Sequence, residues 1–296
     1  MSRPAALLRA TPGVFVLIWS TGFVVARYGM PHAQPLTFLV FRYVLSVLAF
    51  GLWIALAGAA WPRGRRQWAH LALTGVLMHA GYLGGVWCAV KAGLGAGMVA
   101  LIVGLQPVLT ALWLSARGSS HRVTPQQWAG LLLGVAGLLL VLWNKLQLGQ
   151  AQAGNVALAL LALASITAGT LYQKRWVEPC DVRTANAVQL LAALLVTLPL
   201  ALLEPWQFDL HPDLIAALAW SVLVLTLGGS SLLYMLIQRG AATAVASLMY
   251  LVPPCTALMA WWLFGETLSA LVLAGLALTA AGVALVVREP RVPVPV

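Results

Sequence analysis

Apolar positions along this chain form runs rather than alternations. Runs of roughly twenty residues, the length that spans a bilayer's hydrocarbon core, fall at 10–30, 36–57, 69–90, 95–115, 126–143, 155–175, 183–203, 213–236, 244–264 and 269–287. The connections are short, the longest running near Trp61–Gln67 and Ala116–Thr124. The pattern predicts an all-α integral membrane protein of ten transmembrane helices. So little chain is left outside the membrane that function is expected between helices.

Composition agrees: 61% of the 296 residues are hydrophobic and 8% charged, with a mean hydropathy of +0.92. So few charges could not cover a water-facing surface. The net charge of +10 does not point to nucleic acid, because the basic residues sit between apolar runs, where topology signals sit. With the N-terminus in the cytoplasm, thirteen Lys and Arg lie in inside regions, against Arg27, Lys91 and Lys145 outside. Both termini are therefore expected in the cytoplasm and the chain in the cell (inner) membrane. The basic, apolar start resembles a signal peptide but has no small-residue cleavage site, so it reads as a retained first helix. Cys88, Cys180 and Cys255 have neither disulfide-framework nor metal-ligand spacing, and read as packing residues.

The runs repeat. Gln106-Pro107-Val108-Leu109-Thr110-Ala111-Leu112 resembles Val252-Pro253-Pro254-Cys255-Thr256-Ala257-Leu258 at an offset of 146. Gly130 and Gly137 of the fifth segment align with Gly275 and Gly282 of the tenth at 145, as Ser20 does with Ser165. Lys91-Ala92-Gly93 matches Arg239-Gly240-Ala241 at 148. Two halves are implied, residues 1–145 and 146–296. Since five is odd, the second half enters the membrane from the opposite side. Inverted repeats are typical of secondary transporters that rock about a midplane site.

Three stretches then carry a family resemblance over almost the whole chain: Trp19-Ser20-Thr21-Gly22-Phe23, Pro35 to Arg42-Tyr43, and Leu263-Phe264-Gly265-Glu266-Thr267-Leu268 followed by Gly275 and Gly282. Together with the duplication they resemble the drug/metabolite transporter superfamily, specifically its ten-helix EamA group. The resemblance implies export of amino acids, metabolites, sugars, nucleotide precursors or toxic compounds. One departure stands out: the fourth helix lacks the Gly-Glu pair the family expects at its end and reads Ser115-Ala116-Arg117-Gly118-Ser119-Ser120.

Polar groups in hydrocarbon are costly and each needs a reason. Arg42 reads either as an attractor of a carboxylate or phosphate, or as a structural arginine reaching the interface. His79, beside Gly81, Tyr82, Gly84 and Gly85, reads as a substrate ligand or proton carrier, or as a neutral histidine bonded to a neighbouring helix. Gln106-Pro107 and Pro253-Pro254, the latter one turn after Tyr250, are paired interruptions, the best sequence pointer to a transporter's site; packing kinks are the bland reading. Ser231 and Tyr234 share a face below Gly228-Gly229, and Thr167, Thr170 and Tyr172 raise the same choice between cavity wall and close packing. Trp19, Arg42, His79, Tyr82, Gln106, Ser231, Tyr234 and Tyr250 are the candidate substrate ligands, with Pro107, Pro253 and Pro254 as hinges. Trp61, Trp68, Trp143, Trp176 and Trp206 end segments, as an aromatic belt would.

No Asp or Glu lies deep in an apolar run, which disfavours organic cations and favours zwitterionic, anionic or neutral aromatic substrates. No Walker A sequence is present, and no cofactor or metal is called for. A membrane-embedded lipid-modifying enzyme would need convergent acid/base groups, whereas His32, His70, His121 and His211 are spread over different loops. A non-transporting subunit, or an importer of the same fold, would carry the same helices. The leading expectation is a secondary transporter exporting amino acids or related compounds; the coupling ion is left open, with His79 the candidate carrier if it is a proton.

Overall fold

The structure is a computed structural model describing residues 3–116, 124–147, 149, 151–238 and 251–287. Its helices are α1 (Arg3–Gly29), α2 (Pro35–Ala57), α3 (Arg65–Lys91), α4 (Ala96–Val103), α5 (Gln106–Ala116), α6 (Pro125–Gln147), α7 (Ala153–Trp176), α8 (Val182–Ala201), α9 (residues 212–238), α10 (Val252–Phe264) and α11 (Ala270–Val287). Helix lies within each of the ten expected segments. Among the described residues there is no strand, only an isolated bridge between Ala33 and Phe208. By length and composition α2, α3, α7, α8 and residues 212–234 can each cross a membrane, and shorter apolar helices such as Ala96–Thr110 accompany them.

The fourth segment is broken as its proline requires. Pro107 has no N–H to donate and crowds the preceding turn, so α4 stops at Val103 and α5 restarts at Gln106. Pro253 and Pro254 stand in the first turn of α10, where the missing donors cost nothing. Residues 239–250, including Tyr250 and Arg239-Gly240-Ala241, lie outside the described residues.

Two π-helical stretches interrupt this pattern without any warning in the apolar runs: Val76–Gly81 inside α3 and Ser221–Ser230 inside α9. They begin 145 residues apart, the offset of the repeat. π segments misalign backbone groups and cluster at functional sites.

Packing follows the duplication. The main helix pairs are α6 with α11, α2 with α8, α4 with α10, α3 with α7, α1 with α9, α1 with α10, α5 with α7, α2 with α9 and α3 with α8. Exchanging each helix for its counterpart in the other half returns the same set. The aligned glycines explain the α6–α11 pair. A Cβ on Gly137 would come within 2.5 Å of Gly275 O, and one on Gly275 within 2.7 Å of Gly137 O; Gly282 abuts Gly130 in the same way. Small residues here let two backbones touch, the usual means of tight association in lipid.

The outer surface suits hydrocarbon. Along α2, Phe41, Val44, Leu45, Leu48, Leu52 and Leu56 are exposed, while Phe38, Leu39, Tyr43, Phe50 and Ile54 are buried. An apolar stripe that large on a soluble monomer would be a liability. Trp61, Trp68, Trp143, Trp176 and Trp206 are all exposed at helix ends, where an aromatic belt sits.

Candidate functional site

Between the halves lies an open cavity. Its walls come from α1 (Trp19, Gly22, Phe23), α2 (Arg42), α3 (His79, Tyr82, Trp87), α7 (Ile166, Gln173), α8 (Asn186, Gln189) and α9 (Leu225, Ser230, Tyr234). A second, smaller space shares Trp19, Phe23, Tyr82 and Ile166 with the first and adds Gln106, Pro107 and Val252. The chamber therefore reaches the break between α4 and α5.

Arg42 is 5% exposed. Its Nε and Nη2 both donate to Thr226 Oγ1, at 3.2 and 3.1 Å. The Thr226 hydroxyl in turn donates to Ser221 O at 2.8 Å, an i−5 carbonyl made available by the π segment of α9. No carboxylate bridges Arg42 among the described residues. A buried cation without an anion is expensive, and here it faces a cavity.

Gln189 lines the same chamber and holds the equivalent place in the other half. Arg42 and Gln189 are each the eighth residue of their helix, α2 and α8. Gln189 is 3% exposed and its Nε2 has no partner among the described residues. Asn186, one turn earlier, donates to Val182 O of its own helix. Gln173, Asn186 and Gln189 were not among the expected ligands, although two amides three residues apart in an apolar run mark one polar helix face.

His79 lies in the π segment of α3, and its carbonyl accepts a bond from Tyr43 Oη at 2.9 Å. The neighbouring glycines serve packing: a Cβ on Gly81 would sit 2.7 Å from Ser165 Oγ, and one on Gly85 2.7 Å from Leu158 O. They let α7 close against α3. Trp87 stacks on Phe38 at 4.2 Å.

Of the expected ligands, Trp19, Arg42, His79, Tyr82 and Tyr234 line the main cavity, and Gln106 lines its extension beside the expected hinge Pro107. Gln106 Nε2 donates to Thr170 Oγ1 at 3.0 Å. Ser231 is buried beside the wall rather than on it, its hydroxyl without a partner among the described residues. Thr167 bonds back to Leu163 O, and Tyr172 pairs with His70 at 2.7 Å, away from the chamber. Pro253 packs against Gly104 at the break. Tyr250 lies outside the described residues.

One end of the bundle is shut. Glu204 accepts from the N–H groups of Leu36 (3.0 Å) and Thr37 (2.8 Å) and from the Thr37 hydroxyl (2.9 Å). Lys91 Nζ donates to Met30 O, Ala33 O and Gln207 Oε1. Glu266 accepts from Ala96 N at 3.0 Å, so the Gly-Glu turn caps α4.

The architecture has counterparts in known proteins. The chain matches the EamA-like transporter family twice, over residues 14–143 and 154–288. It is 26% identical to a "Probable amino-acid metabolite efflux pump" of Salmonella typhimurium, over 90% of each chain. It is 27% identical to a chloroplastic WAT1-related protein of Arabidopsis thaliana, over 96% of this chain and 72% of that one. A solved crystal structure superposes with a TM-score of 0.66 at 20% identity, covering 93% of this chain and 95% of the other, and so shares the fold. With two matches that together take in nearly all the helices, this multi-pass membrane protein belongs to the EamA-like transporter family.

Proposed function

We propose that the chain exports amino acids or closely related small metabolites by alternating access, its two halves (1–145 and 146–296, inverted) rocking about the central chamber. The observation that carries the reading is Arg42, buried at the chamber wall with no carboxylate partner among the described residues, in the same chamber as Gln189, whose side chain meets His79 while its Nε2 has no partner among the described residues. A substrate carboxylate supplies the missing charge, and Gln189 can donate to a second acceptor. Trp19, Tyr82, Trp87 and Tyr234 give the chamber aromatic walls. The efflux-pump name of the Salmonella relative supports the outward direction. Both termini are cytoplasmic in the inner membrane, so the shut end faces outward. Pro107, Pro253 and Pro254 act as hinges, and His79 carries the coupling proton.

Reconstitution in liposomes tests this, using matched triplets: an amino acid, its amide and its decarboxylated amine. Flux is expected for the acid members alone. Arg42→Gln should cut it by about tenfold or more, the usual scale for losing a buried charge's partner. Arg42→Lys, which keeps the charge, should preserve the preference for acids. Transport of the amines instead, or none of any compound, overturns the reading. Gradient dependence unchanged in His79→Ala would remove the coupling role.

A further inference from the structure

His32 and His211 are 179 positions apart in the sequence, yet their rings stack at 4.1 Å with planes 5° apart. Asp213 lies against both: its Oδ2 is 4.0 Å from His32 Nε2 and 3.5 Å from His211 Nδ1. All three groups offer donor atoms within 4.8 Å of one another. The side chains are between a fifth and a half exposed, so an ion in solution can reach them.

Two of the three have a structural role. His211 is the N-cap of α9 and its Nδ1 accepts from Asp213 N at 3.2 Å; Asp213 stands in the first turn, where a negative charge suits the helix dipole. His32 has no such role. Its ring's interactions among the described residues are with the other two.

We propose that His32, His211 and Asp213 form a zinc site at the shut end of the bundle. Two imidazole nitrogens and a carboxylate oxygen are ordinary zinc donors, and three protein ligands with water as the fourth make an open tetrahedral site. Bonds of about 2.0–2.2 Å place tetrahedral ligands roughly 3.3 Å apart. The two His–Asp pairs, at 4.0 and 3.5 Å, need to close by less than an ångström and the two imidazoles, within 4.8 Å, by up to about 1.5 Å, and the parallel rings must turn out of their stack so that both nitrogen lone pairs meet one ion. With His32 bound through Nε2 and His211 through Nδ1, the latter gives up its bond from Asp213 N, which is near water and easily solvated.

The site spans the halves. His32 follows α1, whereas His211 and Asp213 open α9. Around it the same two segments are already joined: Asp209 N donates to His32 O at 2.8 Å, Ala33 bridges Phe208, and Gln34 Nε2 donates to Gln207 Oε1 at 3.0 Å. A metal here staples that seam. Zinc at this face therefore holds the end closed and slows transport; this consequence rests on the transporter reading, while the binding does not.

The test uses the purified full chain in lipid nanodiscs, stripped with chelator and titrated with zinc chloride by calorimetry. One zinc per chain is expected, with a rise in melting temperature, since a ligand of the folded state stabilises it. His32→Ala should lose the binding and the thermal shift while melting unchanged without metal, because His32 caps nothing. Asp213→Asn should bind about tenfold or more weakly, and magnesium should leave the protein unaffected. Equal zinc binding by His32→Ala, or none by the wild type, overturns the site. In liposomes, zinc added at the shut face should slow flux by wild type and not by His32→Ala. Zinc binding without slowing overturns the staple and leaves the site standing. Absence of flux in metal-free wild type tells against the transporter reading alone.

Discussion

The helices α2 and α8 begin alike and are closed differently. Leu36 and Thr37 are the second and third residues of α2; Arg183 and Thr184 hold those places in α8. Every helix start leaves backbone N–H groups without partners. At α2 they are satisfied across the molecule by Glu204, 168 and 167 positions away. At α8 the N–H of Arg183 is satisfied by its neighbour Asp181 at 2.9 Å. The third residues diverge in the same sense: Thr37 bonds the Glu204 carboxylate, whereas Thr184 bonds the neutral carbonyl of Ala60 at 3.0 Å. A cap supplied by the other half ties the halves together; a cap supplied locally does not. Glu266 on Ala96 adds a second cross-molecule carboxylate at the α2 end. At the α8 end the halves meet through neutral hydrogen bonds, chiefly Gln67 with the backbone of Glu178, and through the guanidiniums of Arg66 and Arg183 over the Trp176 and Trp53 rings. One end is bolted by charge-assisted hydrogen bonds, roughly twice as strong as neutral ones, and the other is joined without a carboxylate bridging the halves among the described residues.

The largest break in that contrast should come from Glu204→Ala. It removes one acceptor from two backbone donors and a hydroxyl, a loss on the scale of a helix cap or more, about 1–2 kcal/mol. Amide exchange at Leu36 and Thr37 should speed by about tenfold or more, since 1.4 kcal/mol is a factor of ten, while Arg183 and Thr184 stay unchanged. Equal acceleration at both ends, or none, would mean the carboxylate does not bolt the halves. Glu266→Ala removes a single bond and should cost about 1 kcal/mol, read as faster exchange at Ala96. Thr184→Ala comes next, at about 0.5–1.5 kcal/mol for one neutral hydrogen bond. Its exchange signature should stay within the α8 start and the segment around Ala60.

Much of this was legible in the sequence and the reasons are physical. Apolar run length fixes where helices lie, because a backbone in lipid must satisfy itself, and helix is found in every expected segment. Pro107 announced its break because a missing N–H is a local fact. The Gly130/Gly275 and Gly137/Gly282 alignment gave the repeat, and the structure shows its purpose, since those glycines are where α6 and α11 touch. The chamber was half legible. Arg42 and His79 stood out as charged or titratable in apolar runs, but Gln173, Asn186 and Gln189 passed as ordinary polar residues until packing buried them. The π segments left no readable mark, being set by register against neighbouring helices. Glu204 and the His32–His211 stack were invisible for a simpler reason: loop residues from different halves meet only once the fold is closed. The missing Gly-Glu pair after the fourth helix, first an unexplained departure, now fits the contrast, since its counterpart Glu266 serves the bolted end.

The smallest expected effect concerns the local cap and depends on pH. Asp181 accepts from Arg183 N, and its carboxylate is also held by the Arg183 guanidinium, at 2.9 Å to Nε and 2.6 Å to Nη2. The hydrogen bonds from that guanidinium hold the Asp181 carboxyl below its ordinary value of 3.8. A carboxyl depressed in the folded state binds its proton less readily there than when unfolded, so its contribution is fully present above the ordinary value. It is lost as pH falls through the lower folded one. Exchange at Arg183 and Thr184 should therefore hold steady from neutral pH to about 4 and rise below that, once the intrinsic acid dependence of exchange is divided out. Asp181→Asn keeps a capping oxygen and should remove the step without unfolding α8. About a quarter of each side chain is exposed, so screening keeps the effect small. A step that survives in Asp181→Asn would place the titrating group elsewhere and erase the distinction between a local cap at this end and a cross-molecule cap at the other.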